Sequence, residues 1–268
     1  MRQLMLREIQ LRELEMLRAF KAVCEANHLY YTLCGGTLLG AVRHRGFIPW
    51  DDDIDVMMPR PDFDRLLEGV GLDVSVLPER MAFISWKNGA AFPYIKLVDR
   101  ETEVQDRYSC LDRHLWIDIL PVDGCPEDDR ALKRLYRRVM QARRRLLLKS
   151  AKPGEGKDPV KRLLKPLVML ALAPFSVRGL CDRYDRLARS WDYGSCASVG
   201  CVTWGYGPQE RIDKQGYGTP AVFEFEGELF AGPSNYDAYL TGLYGDYMTL
   251  PPEAERSTRH EMKVYIRE

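Results

Sequence analysis

The chain lacks the features that would place it in several broad classes. Its seven cysteines, at positions 24, 34, 110, 125, 181, 196 and 201, include no C-x-x-C pair and follow no regular spacing. A disulfide framework is therefore not expected, and an odd, scattered count suits reduced thiols in the cytosol. Cys110 and Cys125 could join a zinc site, but ordinary buried thiols are the expectation. The apolar run Leu167 to Phe175 has nine residues and contains Pro174, well short of the ~20 that a membrane-spanning helix needs. The opening MRQLMLREIQLREL is charged throughout and has no apolar centre of the signal-peptide kind. The expected location is cytoplasmic, with the inner face of the membrane as the alternative. A net charge is missing too, since 39 Lys and Arg balance 39 Asp and Glu.

What is present is ordinary in amount and unusual in arrangement. At 268 residues, 46% hydrophobic and 29% charged, the chain has the make-up of a globular protein of one large domain or two small ones. The charge is lopsided. Between Arg130 and Lys165 there are fourteen bases and only two acids, Glu155 and Asp158, so the remainder is net acidic. Such polarity suggests a surface meant for an anionic partner. The helical spacing of Leu132, Leu135, Tyr136, Val139 and Met140 gives this stretch one apolar side. It reads either as a helical insertion packed on the core with solvated arginines, or as an interfacial element on anionic lipid through 130–175. Nucleic acid is not an expected partner, because no aromatic interleaving or known module accompanies the charge.

The rest of the chain is organised around Tyr31 to Asp64. Within it stand a small-residue turn (Gly35-Gly36-Thr37), a basic cluster (Arg43, His44, Arg45) and four acids, Asp51, Asp52, Asp53 and Asp55. Carboxylates this crowded repel one another. A hard divalent cation would relieve them, since Mg²⁺ takes oxygen ligands and completes its shell with waters and substrate phosphates. Read as a strand, Asp53 to Met57 sends Asp53 and Asp55 to one face and Ile54 and Val56 to the other. An acidic solvated turn is the plain alternative, but the flanks Phe47-Ile48-Pro49-Trp50 and Ile54-Val56-Met57-Met58 look buried. Gly35 and Gly36 allow backbone amides to approach a phosphate at the start of a helix running from Thr37 to Val42. Arg43 and His44 are expected as phosphate contacts from a loop before the aspartates, and Arg45 as solvated.

Further along, Leu4 to Asn27 has the periodicity of an amphipathic helix, and Pro61 opens another. Met81 to Trp86 and Phe92 to Val98 read as strands with Asn88-Gly89 as a hairpin turn between them. On the second strand Lys96 alternates with Ile95 and Leu97, making it a solvated outer-face lysine or a phosphate contact in the cleft. On a third strand, His114 to Leu120, Asp118 stands alone among apolar neighbours, which is unfavourable unless it is paired or bound to metal. Asp123 is its rival, in what reads as a turn. Trp191, Tyr193, Trp204 and Tyr206 could stack on a base or sugar, or simply pack a core. Tyr236 to Leu240 reads as a helix ended by Gly245. Arg259 and His260 could reach a substrate, though nothing in their context selects them.

The stretch GGTLLGAVRHRGFIPWDDDIDVMM resembles the signature of the LicD family, part of the nucleotidyltransferase-fold superfamily; fukutin-like proteins share it. The resemblance implies an α+β fold: a mixed sheet core flanked by helices over 1–125, a basic helical insertion over 126–190 and a C-terminal helical and loop element over 191–268. It implies a Gly-Gly turn, an Asp-x-Asp strand and a third acid on a later strand, here Asp118. It also implies transfer of a phospho-alcohol, typically phosphocholine from CDP-choline, to a sugar of a cell-surface glycan such as lipopolysaccharide or teichoic acid, with release of CMP. Asp53, Asp55 and Asp118 would hold Mg²⁺, or Mn²⁺ in its place, and Asp118 could instead serve as general base. Gly35, Gly36, Thr37, Arg43, His44 and Lys96 would contact the CDP-alcohol donor; the acceptor would be a glycan or lipid-linked glycan. A related ribitol or glycerol phosphate transfer, a nucleotidyltransferase acting on a small acceptor, and a non-catalytic glycan-binding scaffold are the alternatives.

Overall fold

The computed structural model of the chain describes residues 1–106, 113–150, 166, 169–204, 206–258 and 262–266. Of the sequence expectations, Cys110, the bases from Lys152 to Lys165, the start of the apolar run at Leu167, Arg259 and His260 lie outside them. In chain order the elements are β1 (Arg2–Gln3), α1 (Leu6–Ala26), β2 (Thr32–Leu33), α2 (Gly35–His44), β3 (Asp55–Pro59), α3 (Arg60–Glu68), β4 (Met81–Ile84), β5 (Ile95–Asp99), β6 (Thr102–Asp106), β7 (Leu115–Cys125), α4 (Asp129–Ser150), α5 (Val177–Ala188), β8 (Ser198–Gly200), β9 (Ile212–Asp213), α6 (Lys214–Gly218), β10 (Pro220–Phe225), β11 (Glu228–Pro233), α7 (Tyr236–Tyr244) and β12 (Met262–Ile266). Short 3₁₀ turns sit at Pro208–Glu210 and Glu253–Glu255.

Strand β7 is the spine. All eleven of its residues are buried, and its sequence LWIDILPVDGC is apolar nearly throughout, as expected of a strand covered on both faces. It runs parallel to β3 and antiparallel to β5 in a sheet ordered β2-β3-β7-β5-β4, and β8 and β9 continue from its far end. Helix α1 packs on this sheet through Ile9, Leu14, Leu17, Phe20 and Val23, all buried, at helical spacing. Its start is fixed by the Glu8 carboxylate accepting from the Met5 amide at 2.8 Å. A second sheet, β1-β12-β6, joins the two ends of the described chain, and β10-β11 forms a hairpin. That hairpin turns at Glu226-Gly227, both with positive φ (54° and 80°), the requirement of a tight turn matched to strand twist. The α+β class with a mixed sheet flanked by helices is therefore observed.

Several local readings shift. Strand β3 begins at Asp55, so Asp53 and Ile54 precede it rather than forming part of it. Arg43 and His44 are not in a loop; they occupy the last turn of α2, and Arg45 caps it in the left-handed region at φ 56°. Asn88-Gly89 does turn the chain, with Asn88 Oδ1 accepting from the Ser85 amide at 2.6 Å. The turn lies inside a wider connection, since pairing stops at Ile84 opposite Lys96. Asp123 is not a turn residue. It lies inside β7, 1% exposed, and holds the Arg60 guanidinium bidentately at 2.7 Å and 2.7 Å. Arg60 also donates to Asp185 at 2.9 Å, so one buried cation ties α3, β7 and α5 together. Removing one member of such a buried network costs about 3–5 kcal/mol.

Candidate active site

The strand registers place three charged side chains in one row. Asp55 of β3 stands opposite Asp118 of β7, and Asp118 stands opposite Lys96 of β5. Residues opposite one another on neighbouring strands share a face, so the row runs Asp-Asp-Lys across the middle of the sheet. All three are buried: Asp55 is 5% exposed, Asp118 8% and Lys96 2%. The Lys96 ammonium lies 3.6 Å from Asp118 Oδ1 and 3.9 Å from the centre of the Trp116 ring, with Phe92 and Tyr94 each at 5.9 Å. The reading of Lys96 as a solvated lysine is therefore overturned. Alternation gave its side correctly, and the aromatic cover above it decided its burial.

Asp55 is held from behind. Its amide donates to Thr37 Oγ1 at 2.8 Å, and its carbonyl accepts from the Cys34 amide at 3.2 Å. Its carboxyl Oδ1 is buried without a hydrogen-bond partner among the described residues. Burial raises the Asp55 carboxyl well above the usual aspartate range; Asp53, Asp118 and Asp51 push it further in that order, and Lys96 opposes them. Nearby on α1, Glu13 is 1% exposed and is raised in the same way, by burial first and then by the charges of Asp53, Asp52, Asp51 and Asp55.

Asp51, Asp53 and Asp55 line one wall of a cleft of about 890 Å³. The opposite chemistry lines the rest. Arg43 comes from the end of α2, Arg143 from α4, and Trp50, Trp204, Tyr206, Tyr244 and Tyr247 add aromatic surface. Arg256 stands beside this lining, its guanidinium 5.5 Å from the Trp50 ring centre. Arg43 donates to the Tyr247 carbonyl at 2.7 Å and Arg256 to the Pro251 carbonyl at 2.9 Å. Among the described residues neither has a carboxylate within ion-pair distance. Desolvation and then the Arg256 charge lower the Arg43 pKa from its ordinary value, so the two guanidiniums are close enough to repel. Close approach to the acids is possible at Gly36, where a Cβ would fall 2.7 Å from Asp51 Oδ2.

The expected contacts divide accordingly. Asp53, Asp55, Gly36 and Arg43 line the cleft, and Asp118 and Lys96 stand beside Asp55 in the row. Gly35, with φ +53°, gives its amide to the Tyr239 hydroxyl at 3.3 Å, and Thr37 uses its hydroxyl to hold Asp55, so both act from inside the protein. His44 accepts from Arg43 Nε at 3.0 Å and lies edge-on to Trp50, their ring centres 6.3 Å apart; it positions Arg43 rather than lining the cleft. Arg143 and Arg256 were missed. Nothing in an arginine-rich helix or a Pro-Pro loop marks which of its residues closes over a distant cleft.

Residues 28–124 match the family model described as LicD/FKTN/FKRP, nucleotidyltransferase domain. The lipopolysaccharide cholinephosphotransferase LicD of Haemophilus influenzae is 30% identical over 275 aligned positions, which take in 99% of this chain and all of that protein. The chain belongs to the LicD family. Within it, the mouse and human ribitol 5-phosphate transferase FKRP are each 28% identical over 107 residues, 40% of this chain and 19% of theirs. An uncharacterized Rickettsia prowazekii protein, RP689, shares 53% identity over 36 residues, 13% of this chain and 14% of its own.

The LicD-family resemblance implies a divalent cation, and the donor set can be tested against one. Oxygen-only ligands, an Asp55 oxygen without a hydrogen-bond partner and crowded carboxylates suit a hard cation such as Mg²⁺. As the side chains stand, however, no three His, Cys, Asp or Glu residues among those described are gathered closely enough to hold an ion by themselves. The site therefore fits a cation held by one or two carboxylates and completed by substrate phosphates and water, rather than an all-protein cage.

Proposed function

We propose that this chain moves a phospho-alcohol, phosphocholine in the first instance, from a CDP-alcohol to a sugar hydroxyl of a cell-surface glycan precursor. The observation that carries the reading is the two-sided cleft: carboxylates on one wall and, on the other, guanidiniums without carboxylate partners among the described residues. A ligand that suits both must bring a cation and clustered negative oxygens together, as a metal-bound diphosphate does. The named activities of the full-length LicD relative and of FKRP support the same class of transfer, and ribitol or glycerol phosphate are the other candidate cargoes.

In this reading Asp55 and Asp118 would hold Mg²⁺, or Mn²⁺ in its place, with substrate phosphates and water completing its shell and Asp53 facing the same cleft. When bound, the cation neutralises diphosphate oxygens and stabilises the departing phosphate. Arg43 and Arg256 take the diphosphate oxygens not facing the acids, as charge-assisted donors. Lys96 holds Asp118 in place and balances part of the acid charge. The sugar hydroxyl oxygen bonds to the phosphorus that carries the alcohol while the bond from that phosphorus to the bridging oxygen breaks, and CMP leaves. A carboxylate of the acid wall accepts the hydroxyl proton, with Asp118 or Asp53 in reach of that role. Trp204 and Tyr206 offer ring faces to a quaternary ammonium or a sugar.

The test is an incubation of the purified protein with CDP-choline, CDP-ribitol or CDP-glycerol, Mg²⁺ and a glycan acceptor, scoring CMP. Release from CDP-choline above the others is the expected result. Pyrophosphate released from CTP, with no CMP from any CDP-alcohol, would replace the reading by nucleotidyl transfer. No turnover and no heat of metal binding in the presence of CDP-choline would leave a scaffold.

A further inference from the structure

Helix α4 has two working sides. Arg143 reaches the cleft, while Arg130, Lys133, Arg134, Arg137, Arg138, Arg144 and Arg145 are exposed. None of these seven has a carboxylate within 4 Å among the described residues, although surface arginines elsewhere in the chain do, as Arg2 with Glu8 or Arg211 with Asp129. The helix packs through Leu132, Leu135, Tyr136, Val139, Ala142 and Leu146, all buried, so its cationic side faces away from the core.

Two further features sit on this side. Arg138, Gln141, Ala142 and Arg145, spaced along one flank of α4, join Arg183 and Leu187 of α5 around a groove of about 360 Å³. Three guanidiniums converge there with no acid lining it. At the far end of α4, Lys149 donates to the carbonyls of Leu172 and Ala173, each at 3.2 Å. That contact holds a segment whose large apolar residues point outward: Leu170 is 72% exposed and Phe175 51%. No helix among the described residues is long and apolar enough to cross a membrane.

We propose that the α4–α5 face docks on an anionic lipid bilayer, with the Arg138–Arg145–Arg183 groove seating lipid phosphate and Leu170 and Phe175 entering the headgroup boundary. Unpaired cations beside a few protruding apolar side chains are the two components of reversible interfacial binding. Neither alone suffices, since a solvated basic helix needs no exposed Leu and Phe, and a protein–protein patch does not need this density of one charge. Because α4 also lends Arg143 to the cleft, docking would bring the cleft to the surface where a lipid-linked acceptor lies. The docking itself does not depend on which group the cleft transfers.

The experiment is co-sedimentation of the full chain with phosphatidylglycerol–phosphatidylcholine vesicles against pure phosphatidylcholine vesicles. The expected result is binding to the anionic vesicles only, weakened by added salt. Arg138→Gln/Arg145→Gln/Arg183→Gln should bind about a hundredfold more weakly, at roughly fivefold per arginine removed. Leu170→Ser/Phe175→Ser should also bind more weakly, with less of a change in salt dependence. Both variants should keep wild-type melting temperature and wild-type CMP release from a soluble donor, which separates failed docking from failed catalysis or folding. Equal binding to both vesicle types, undiminished binding by the triple variant, or retention by single-stranded RNA without vesicle binding would each overturn the proposal.

Discussion

The acid wall and the arginine wall of the cleft are built in opposite ways. Asp51, Asp53 and Asp55 lie within five positions of one another, and Asp118 and Lys96 join them through strand registers that alternation alone nearly specifies. Arg43, Arg143 and Arg256 come from the end of one helix, the middle of another and a loop close to the C-terminus. The first wall is anchored by the buried Asp55, with Asp51 and Asp53 half-buried beside it; Arg43, Arg143 and Arg256 of the second are also half-buried and are mounted on elements that meet only in the folded chain. Chemistry at a fixed point needs the former. The latter is assembled by tertiary packing, which a short motif does not encode.

The largest effect should come from breaking the acid wall. Asp55→Asn keeps the shape of the side chain and removes its charge, so turnover should fall about a thousandfold or more. The same substitution relieves the repulsion that raises the Asp55 carboxyl, and without added metal the melting temperature should hold or rise. CMP release and a thermal melt in chelator report the two together; near-normal turnover would remove Asp55 from the chemistry. The arginine wall should respond differently. Arg256→Gln or Arg43→Gln removes charge-assisted hydrogen bonds worth about 1.5–3 kcal/mol each, raising the donor KM roughly 10- to 100-fold while kcat changes less. Equal losses in kcat for both walls would erase the distinction between them.

How much was legible follows the same line. Helix α1, the Pro61 helix, strands β4 and β5, the α4 periodicity and the Gly245 helix end are carried by local spacing, and each is found close to its expected place. Asp118 is legible as a candidate because a carboxylate among Ile and Leu needs a special reason, and Asp55 because four crowded acids repel one another and alternation puts it on one face with Asp53. Asp123 was misread because Pro121-Val122-Asp123-Gly124 has the composition of a turn, and its partner Arg60 lies 63 residues away in sequence. The burial of Lys96 depends on Trp116 of β7 closing over it together with Phe92 and Tyr94; alternation along Phe92 to Lys96 hints at the last two, but nothing local points to Trp116. Strands β1 and β12 pair the two ends of the described chain, and two residues of β1 are too short a signal to read.

Lys96 links the two halves of that lesson and should give an intermediate effect. Lys96→Met keeps the apolar stem under the aromatic rings and removes the ammonium 3.6 Å from Asp118. Buried acid charge then goes less compensated, which should lower stability by about 3 kcal/mol in chelator. Mg²⁺ should recover part of that loss if a cation takes over the balance, so the difference in melting temperature with and without Mg²⁺ should be wider in the variant than in the wild type. Unchanged melting in chelator would mean the row is not an electrostatic unit.

Glu210 offers the smallest expected effect on turnover and the cleanest contrast in stability. It is 1% exposed, and neither carboxyl oxygen has a hydrogen-bond partner among the described residues. Burial alone raises its pKa to about 8, whereas Asp55 is raised by burial and by its acidic neighbours together. A carboxyl that holds its proton more tightly folded than unfolded contributes stability that is full below the unfolded value and is lost as pH climbs to the folded one. For Glu210 that window runs from the ordinary glutamate value of 4.5 to about 8, and the loss across it is on the order of 3–5 kcal/mol. Glu210→Gln cannot ionise, so its unfolding free energy should be flatter across that window and exceed the wild-type value above pH 8, with turnover within about twofold. Denaturant melts from pH 5 to pH 9 measure this directly. A variant as pH-sensitive as the wild type would place the titrating group elsewhere, and the carboxylates of the acid wall would be the first to examine.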